Sequence, residues 1–202
     1  MSEEYSGKQQ QEEGKTGSTR IWLLSGDPGS GKSTVVSKVI LKAKTHGYTV
    51  GGVLTREIRS HGERTGFLLL DVSTEESGKI AGTGPEPGPR VGKYHVNLKT
   101  LSGLAPKAFE HAKHHSDLVV CDEVGPMELF SPEFRRGAED ALLSSTKPCL
   151  CVVHKRLEDP LITKLKDNPQ SKSYDVSYEN RDLLPDELWM EILECINKNH
   201  KQ

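Results

Sequence analysis

The sequence has few aromatic residues, few cysteines, no excess of charge of one sign and no long apolar run. No apolar segment approaches the roughly 18 residues of a membrane-spanning helix, so no span is predicted. The polar amino terminus has no apolar core of the kind found in signal peptides, which favours a cytoplasmic location. The formal net charge of −2 argues against binding to nucleic acid or anionic membrane through a general positive field.

Aromatic residues make up 5% of the sequence, and none are interleaved with its basic clusters. A stacking platform for single-stranded nucleic acid is therefore not expected. Cys121, Cys149 and Cys151 lie in apolar runs typical of buried strands, which predicts reduced thiols in the core. Cys149 and Cys151 share one strand face, but no second pair of cysteines or histidines completes a zinc site.

A chain of 202 residues suits one domain with a sizeable core. Residues 1–18 are polar and predict a disordered tail, and residues 19–202 predict a single domain. Short apolar runs alternate there with segments of helical periodicity, which predicts an α/β fold with a mostly parallel sheet flanked by helices. Two runs within residues 53–72, separated by a glycine turn signal, predict an added antiparallel hairpin.

The same patterns give approximate bounds for the elements. They predict helices over residues 32–46, 104–115, 131–145 and 184–199. Residues 82–97, GTGPEPGPRVGKYHVN, are rich in glycine and proline and are predicted to form a loop. In a fold of this class, ligands bind at the carboxyl ends of the parallel strands.

The segment GDPGSGKS, residues 26–33, matches the phosphate-binding pattern G-x-x-x-x-G-K-[ST] in full. It follows a predicted strand and opens a predicted helix, which is the context that the pattern requires. Glycines let backbone amides approach phosphate oxygens closely, and the helix adds its positive amino-terminal end. Lys32 is expected to contact the β- and γ-phosphates, and the Ser33 hydroxyl is expected to ligate Mg²⁺. The predicted nucleotide-binding residues are Gly26, Asp27, Pro28, Gly29, Ser30, Gly31, Lys32, Ser33 and Thr34.

A second pattern, DLVVCDE at residues 117–123, is an apolar strand that ends in two acids. It fits a Walker B element, in which Asp122 holds Mg²⁺ and Glu123 orients the attacking water. Residues 122–125 also fit the D-x-x-G of regulatory GTPases. Those proteins read guanine with N-K-x-D, whereas the Asn-Lys pair here is followed by Asn199 and His200 in the last helix. A loose base preference is therefore expected.

Phosphoryl transfer needs positive charge beyond Lys32. Arg59 and Arg64 flank the predicted hairpin and are the favoured candidates among the arginines. His154 follows the strand CLCVV and is a candidate sensor of the γ-phosphate, although a local hydrogen bond at the strand end is the other interpretation. The predicted catalytic residues are Glu123, Lys32, Arg59 and Arg64.

Together with further segments, these motifs resemble the thermophilic-type small nucleoside-triphosphatases, a family of P-loop NTPases. The resemblance runs from about Arg20 to Asn197. It is carried by SGDPGSGKST, GGVLTREIR, GERTGFLLLDV, GPRVGKYHV, VVCDEVGPMELFSPEF, VVHKR and YENRDLLPDEL. It implies a RecA-like P-loop fold and slow hydrolysis of ATP, GTP and other nucleoside triphosphates to diphosphate and phosphate, with broad base tolerance.

Carried over by position, the resemblance implies that residues 26–33 bind phosphates, that Asp122 serves Mg²⁺ and that Glu123 serves the water. One position departs from the family pattern, because Pro126 stands where a lysine usually follows D-E-[IV]-G. Two other functions stay open: phosphate transfer to an unidentified acceptor, with Glu123 as base, and a nucleotide-dependent binding switch. A nucleoside triphosphate is the expected partner in each case, and a monomer is slightly favoured although no pattern sets the oligomeric state.

Overall fold

Strands and helices alternate along much of the computed structural model, which describes residues 18–85 and 87–201. The predicted tail, residues 1–18, therefore lies almost entirely outside the described residues. The strands are β1 (Ile21–Ser25), β2 (Val50–Ser60), β3 (Glu63–Asp71), β4 (Ser77–Gly82), β5 (Arg90–Val91), β6 (Tyr94–Val96), β7 (Leu118–Val124), β8 (Cys149–Val153) and β9 (Ser171–Asp175). The α-helices are α1 (Lys32–Thr45), α2 (Leu98–His115), α3 (Pro132–Glu139), α4 (Pro160–Asp167) and α5 (Leu184–Asn199).

These strands form one mixed sheet in the order β5-β6-β4-β3-β2-β7-β8-β1-β9. The half from β2 to β9 is parallel throughout. The strands β3, β4, β6 and β5 extend the sheet from β2 by antiparallel pairing. The expected fold class is confirmed, and the antiparallel part extends beyond the single hairpin that was expected. Strand β8 lies between β1 and β7, so the two strands that precede the predicted phosphate loop and the acid pair are not neighbours.

Both faces of the parallel half are covered by helices, as alternate residues of β1 illustrate. Ile21 and Leu23 pack in a core with residues of α2, α3 and α4, whereas Trp22 and Leu24 pack on the other face with residues of α1 and α5. Such a strand is buried on both faces, and this explains why IWLL is continuously apolar. The four cysteine thiols are free and buried in these cores, in agreement with the interpretation of core thiols.

The prediction of a loop over residues 82–97 is wrong in part. The segment contains β5 and β6, in which Arg90 pairs with His95, and β6 pairs with the edge of β4. Tyr94 and Val96 are buried by this pairing. The hydrogen-bond partners belong to a sheet edge formed elsewhere in the chain, so the local glycine and proline content was a poor guide to this segment.

Two predicted helices also differ from those observed. Helix α2 begins at Leu98, well before the predicted start at Leu104, because the Asn97 side chain caps it by accepting a hydrogen bond from the Thr100 amide at 3.1 Å. Pro106 lies inside the helix rather than near its start. The helix predicted over residues 131–145 is α3 followed by a π-helical turn, Asp140–Ser144.

Among residues 18–85 and 87–201, no helix is both long enough and apolar enough to cross a membrane.

Candidate functional site

The predicted phosphate loop joins β1 to α1, as expected from its sequence. Gly31, directly before α1, has φ +107°, and a methyl group on Gly26 would stand 2.5 Å from the Val176 carbonyl oxygen. Both positions therefore require glycine. The Lys32 ammonium donates hydrogen bonds to the carbonyl oxygens of Gly26 at 2.9 Å and Asp27 at 3.0 Å, which holds the cation at the mouth of the loop.

The acid pair lies at the end of β7, across β8 from the loop. Asp122 is only 2% exposed, and its Oδ2 has no hydrogen-bond partner among the described residues. Burial raises the pKa of Asp122 to about 7, although a hydrogen bond from the Ser33 hydroxyl lowers it. A buried carboxylate with a free oxygen beside a hydroxyl is a set of hard oxygen donors, which fits a divalent cation such as Mg²⁺.

Glu123 is partly buried next to Asp122 and faces two cationic or protonatable groups. Burial raises the pKa of Glu123, and the charges of Lys32 and His154 act in the opposite direction. His154 follows β8, its amide donates to the Val124 carbonyl at 3.2 Å, and its side chain lines the same cleft as Glu123. The structure thus brings together the predicted lysine, both acids and the candidate sensor.

Sequence analysis missed a third acid in this place. Glu128 lies in a 3₁₀ turn, Glu128–Phe130, and is 4% exposed. Burial and the nearby Glu123 charge raise the pKa of Glu128 to about 8. The available signal was a single acid inside the otherwise apolar segment GPMELF, residues 125–130, which directly follows β7 and is unusual for a surface turn.

These groups line a cleft of about 810 Å³ that extends past Glu123 toward the antiparallel half of the sheet. Beyond the phosphate loop, its lining residues are Thr55, Arg56, Glu57, Arg64, Phe67, Val91, Asp122, Glu123, Pro126, Met127, Glu128, His154, Lys155 and Arg156. The volume falls in the range of small-molecule sites, about 300–1,000 Å³. Pro126, the departure from the family pattern, is therefore in the wall of the cleft.

The two favoured arginines occupy different places. Arg64 lines the cleft, where its guanidinium donates to the Tyr94 hydroxyl at 2.9 Å and to Glu57 at 2.7 Å. Arg59 lies toward the tip of the hairpin, donates to Glu57 at 2.9 Å and to the Gly62 carbonyl at 3.0 Å, and is not among the described residues that line the cleft. Arg64 is therefore better placed to reach a bound phosphate.

A family model described as NTPase matches residues 21–189 of the chain. The chain belongs to this NTPase family. Its relatives include the nucleoside-triphosphatase THEP1 of Thermofilum pendens, which is 39% identical over 176 residues, or 87% of this chain and 96% of that protein. The THEP1 of Methanosarcina barkeri is 42% identical over 163 residues, or 80% of this chain and 91% of that protein.

Solved structures agree with the membership in this NTPase family. The crystal structure of THEP1 from Aquifex aeolicus superposes with a TM-score of 0.74 at 25% identity, covering 83% of this chain and 96% of that one. The solution structure of a human cancer-related nucleoside triphosphatase superposes with a TM-score of 0.71 at 32% identity, covering 84% of this chain and 96% of that one. The expected family and the P-loop fold are confirmed, and the NTPase family implies a nucleotide substrate and a divalent metal ion.

Proposed function

We propose that this NTPase hydrolyses nucleoside 5′-triphosphates to the diphosphate and phosphate, with Mg²⁺ and with loose base preference. The observation that carries the proposal is the position of Glu123. Its carboxyl group lies beside Asp122 in the cleft that Lys32 and the phosphate loop also line. The charges of Lys32 and His154 stabilise its ionised form. A carboxylate there is suited to hold and polarise a water molecule in line with the γ-phosphorus.

The proposal gives a role to every predicted site residue except Arg59, which is not among the described residues that line the cleft. The amides of residues 26–34 and the Lys32 ammonium bind the phosphates, and Ser33 and Asp122 hold the Mg²⁺. The metal ion, when bound, neutralises charge on the phosphate oxygens. Glu123 orients the water and accepts its proton, and Arg64 stabilises the charge that develops. All of these residues come from one chain and one domain, so a monomer suffices.

The test is phosphate release from ATP, GTP, CTP and UTP with Mg²⁺. The wild type is expected to release phosphate from all four. Glu123→Gln is expected to bind nucleotide normally and to lose turnover by about 10²-fold or more, since it keeps the shape but not the basic oxygen. The matched control is Glu187→Gln, an exposed position on α5, which should behave as the wild type. Full turnover by Glu123→Gln would contradict the proposed role of Glu123.

One observation favours a second candidate function, transfer of the phosphate to an acceptor hydroxyl. The cleft continues past Glu123 to Phe67 and Arg64, and the buried Thr55 Oγ1 in its wall has no hydrogen-bond partner among the described residues. Such a region offers room and polar contacts for a second molecule. If the wild type binds nucleotide and releases almost no phosphate in water, transfer to an acceptor replaces hydrolysis as the proposal.

A further inference from the structure

The residues that line the cleft account for the phosphates and the reacting end of the nucleotide, but the phenyl ring among them, that of Phe67, is packed against other side chains. Phe67 is partly buried, with the Tyr94 ring centroid 5.1 Å from its own centroid and the Arg64 guanidinium carbon also 5.1 Å from it. The acids that define the reacting end lie on β7, on one side of β1. A nucleotide held by its phosphates extends its nucleoside away from that end, so the nucleoside is expected at the opposite flank of the phosphate loop.

On that flank, the segment after β9 places an exposed aromatic ring against the phosphate loop. Tyr178 is 68% exposed, and its hydroxyl oxygen would be 4.0 Å from a methyl group on Gly29. The other large aromatic side chain that is exposed among residues 18–85 and 87–201 is Phe130, which follows β7 on the reacting side. Exposure of a ring at this position leaves a π-face available for a ligand.

Arg181 adds a second planar group to the same place. Its guanidinium carbon lies 4.5 Å from the centroid of the Tyr178 ring, and its Cδ would be 3.0 Å from a methyl group on Gly31. Within the described chain, no hydrogen bond or ion pair occupies this guanidinium. Arginine stacks on aromatic rings and on nucleic-acid bases through its planar face, so the pair offers two stacking surfaces.

The backbone beneath this pair is fixed before any ligand arrives. The Asn180 side chain donates to the Asp175 carbonyl at 2.8 Å and accepts from the Ser177 amide at 2.9 Å. The Arg181 amide donates to the Ser177 carbonyl at 3.1 Å. A turn held in this way fixes the backbone positions of Tyr178 and Arg181, which lowers the ordering cost of binding.

We propose that Tyr178 and Arg181 form the nucleobase site of this enzyme, a shelf on which the base stacks without being read by hydrogen bonds. The inference rests on the proposed function, because it assigns the base of the same nucleotide. Every purine and pyrimidine has a π-face, so a stacking shelf binds all of them, and purines bind more tightly because their faces are larger. The loose base preference then results from stacking on Tyr178 and Arg181.

The experiment compares nucleotides with inorganic tripolyphosphate, which has the phosphates and no base. Equilibrium binding with Mg²⁺ is measured by titration calorimetry for tripolyphosphate and for the β,γ-imido analogues of ATP, GTP, CTP and UTP. Tyr178→Ala is expected to weaken binding of all four analogues by roughly 5- to 100-fold, the usual effect of losing one aromatic stacking partner. Its tripolyphosphate binding is expected to equal that of the wild type.

Three further variants separate stacking from other causes. Tyr178→Phe keeps the ring and should bind the analogues as the wild type does, and Met190→Ala removes an equally exposed apolar side chain from α5 and should change nothing. Arg181→Met keeps most of the length of the side chain but not its planar face. It should weaken binding of the nucleotide analogues more than it weakens binding of tripolyphosphate. An equal loss for tripolyphosphate would place Arg181 on the phosphates and remove it from the shelf.

Undiminished analogue binding by Tyr178→Ala would overturn the proposal, as would an equal loss of tripolyphosphate binding. Failure of the proposed function looks different, because these measurements do not depend on turnover. A wild type that binds the analogues through Tyr178 yet releases no phosphate from nucleoside triphosphates would contradict hydrolysis and support the shelf.

Discussion

The carboxyl groups of Glu123 and Glu128 lie on the same side of Gly125 and close to each other. A methyl group on Gly125 would stand 2.6 Å from Glu123 Oε1 and 3.1 Å from Glu128 Oε2. Burial raises the pKa of both acids, and the charge of Glu123 contributes to the shift of Glu128. The carboxylate that we assign to the attacking water is therefore positioned in a tight space between backbone and a second, buried acid.

Gly125→Ala tests whether this space sets the position of Glu123. The added methyl group overlaps Glu123 Oε1, so the carboxylate must move while the phosphate loop stays unchanged. We expect turnover to fall by about 10- to 100-fold, the effect of a displacement near 1 Å, with nucleotide affinity retained. Gly103→Ala on α2 is the control, because a methyl group there meets nothing within 4 Å. Unchanged turnover in Gly125→Ala would show that Glu123 is not held by this contact.

Glu128→Gln should change how stability depends on pH. The pKa of Glu128 in the folded chain is about 8, against an ordinary value of 4.5, so the folded state holds this proton more tightly than the unfolded state. The free energy of unfolding therefore falls as pH rises through that window, with a slope of at most about 1.4 kcal/mol per pH unit from this group. Gln cannot lose a proton, so the variant gains stability relative to the wild type as pH rises.

The measurement is urea unfolding of both proteins at several pH values between 5 and 8.5, with EDTA present. The informative quantity is the difference between the two proteins in the slope of unfolding free energy against pH. The absolute stabilities are not compared, because the amide in Glu128→Gln itself changes stability at every pH. Glu187→Gln, exposed on α5, should give a curve parallel to that of the wild type. Parallel curves for Glu128→Gln would mean that Glu128 is not a protonated, buried acid.

The fold and the phosphate loop were predictable because their signals are local. The glycines, lysine and serine that follow β1 specify the phosphate loop by themselves. Strands β1 and β7 are buried on both faces, so their sequences are continuous apolar runs that predict buried strands. Strands β5 and β6 were not predictable from their own residues, since their hydrogen bonds come from a sheet edge. The early start of α2 depends on the cap at Asn97, a single side chain.

Within the site, sequence patterns identified groups that follow strands and missed groups that tertiary structure buries. Lys32 follows β1 by a short fixed interval, and the acid pair lies near the end of β7. Their proximity follows from the carboxyl ends of parallel strands meeting at one edge. Glu128 is significant only because the turn after β7 buries it close to Glu123. The difference between Arg59 and Arg64 likewise depends on the course of the hairpin, which the sequence does not specify.

Arg64→Ala and Arg59→Ala form a matched pair. Each arginine donates to Glu57, so either change removes one donor from the same carboxylate, but of the two only Arg64 lines the cleft. We expect Arg64→Ala to lower kcat by roughly 10²-fold, the usual effect of losing one group that stabilises transition-state charge. Arg59→Ala should retain turnover within a few-fold of the wild type. Turnover is measured as phosphate release at saturating nucleotide. A larger loss of turnover in Arg59→Ala than in Arg64→Ala would make Arg59 the arginine that stabilises the transition state.

Lys32→Ala should weaken nucleotide binding and turnover together, because the ammonium contacts phosphate both before and during transfer. The hydrogen bonds of Lys32 to Gly26 and Asp27 hold the cation over the phosphate loop, and no other lysine is assigned to this position. Calorimetric binding of nucleotide and phosphate release are both required. Lys44→Ala on α1 serves as the control, since its ammonium is directed to the Val72 carbonyl away from the cleft. Full activity in Lys32→Ala would refute the assignment of the phosphate loop.

Asp122→Asn should remove the metal-dependent part of nucleotide binding. Asp122 Oδ2 is buried without a partner among the described residues, and the neutral amide is a much weaker ligand for Mg²⁺. In the wild type, nucleoside diphosphate is expected to raise the unfolding temperature more with Mg²⁺ than with EDTA, because ligand binding to the folded state stabilises it. In Asp122→Asn the two unfolding temperatures should coincide, whereas Asp167→Asn, an exposed position at the end of α4, should keep the difference. A Mg²⁺-dependent shift that survives in Asp122→Asn would place the metal ion on other ligands, and this readout needs no turnover.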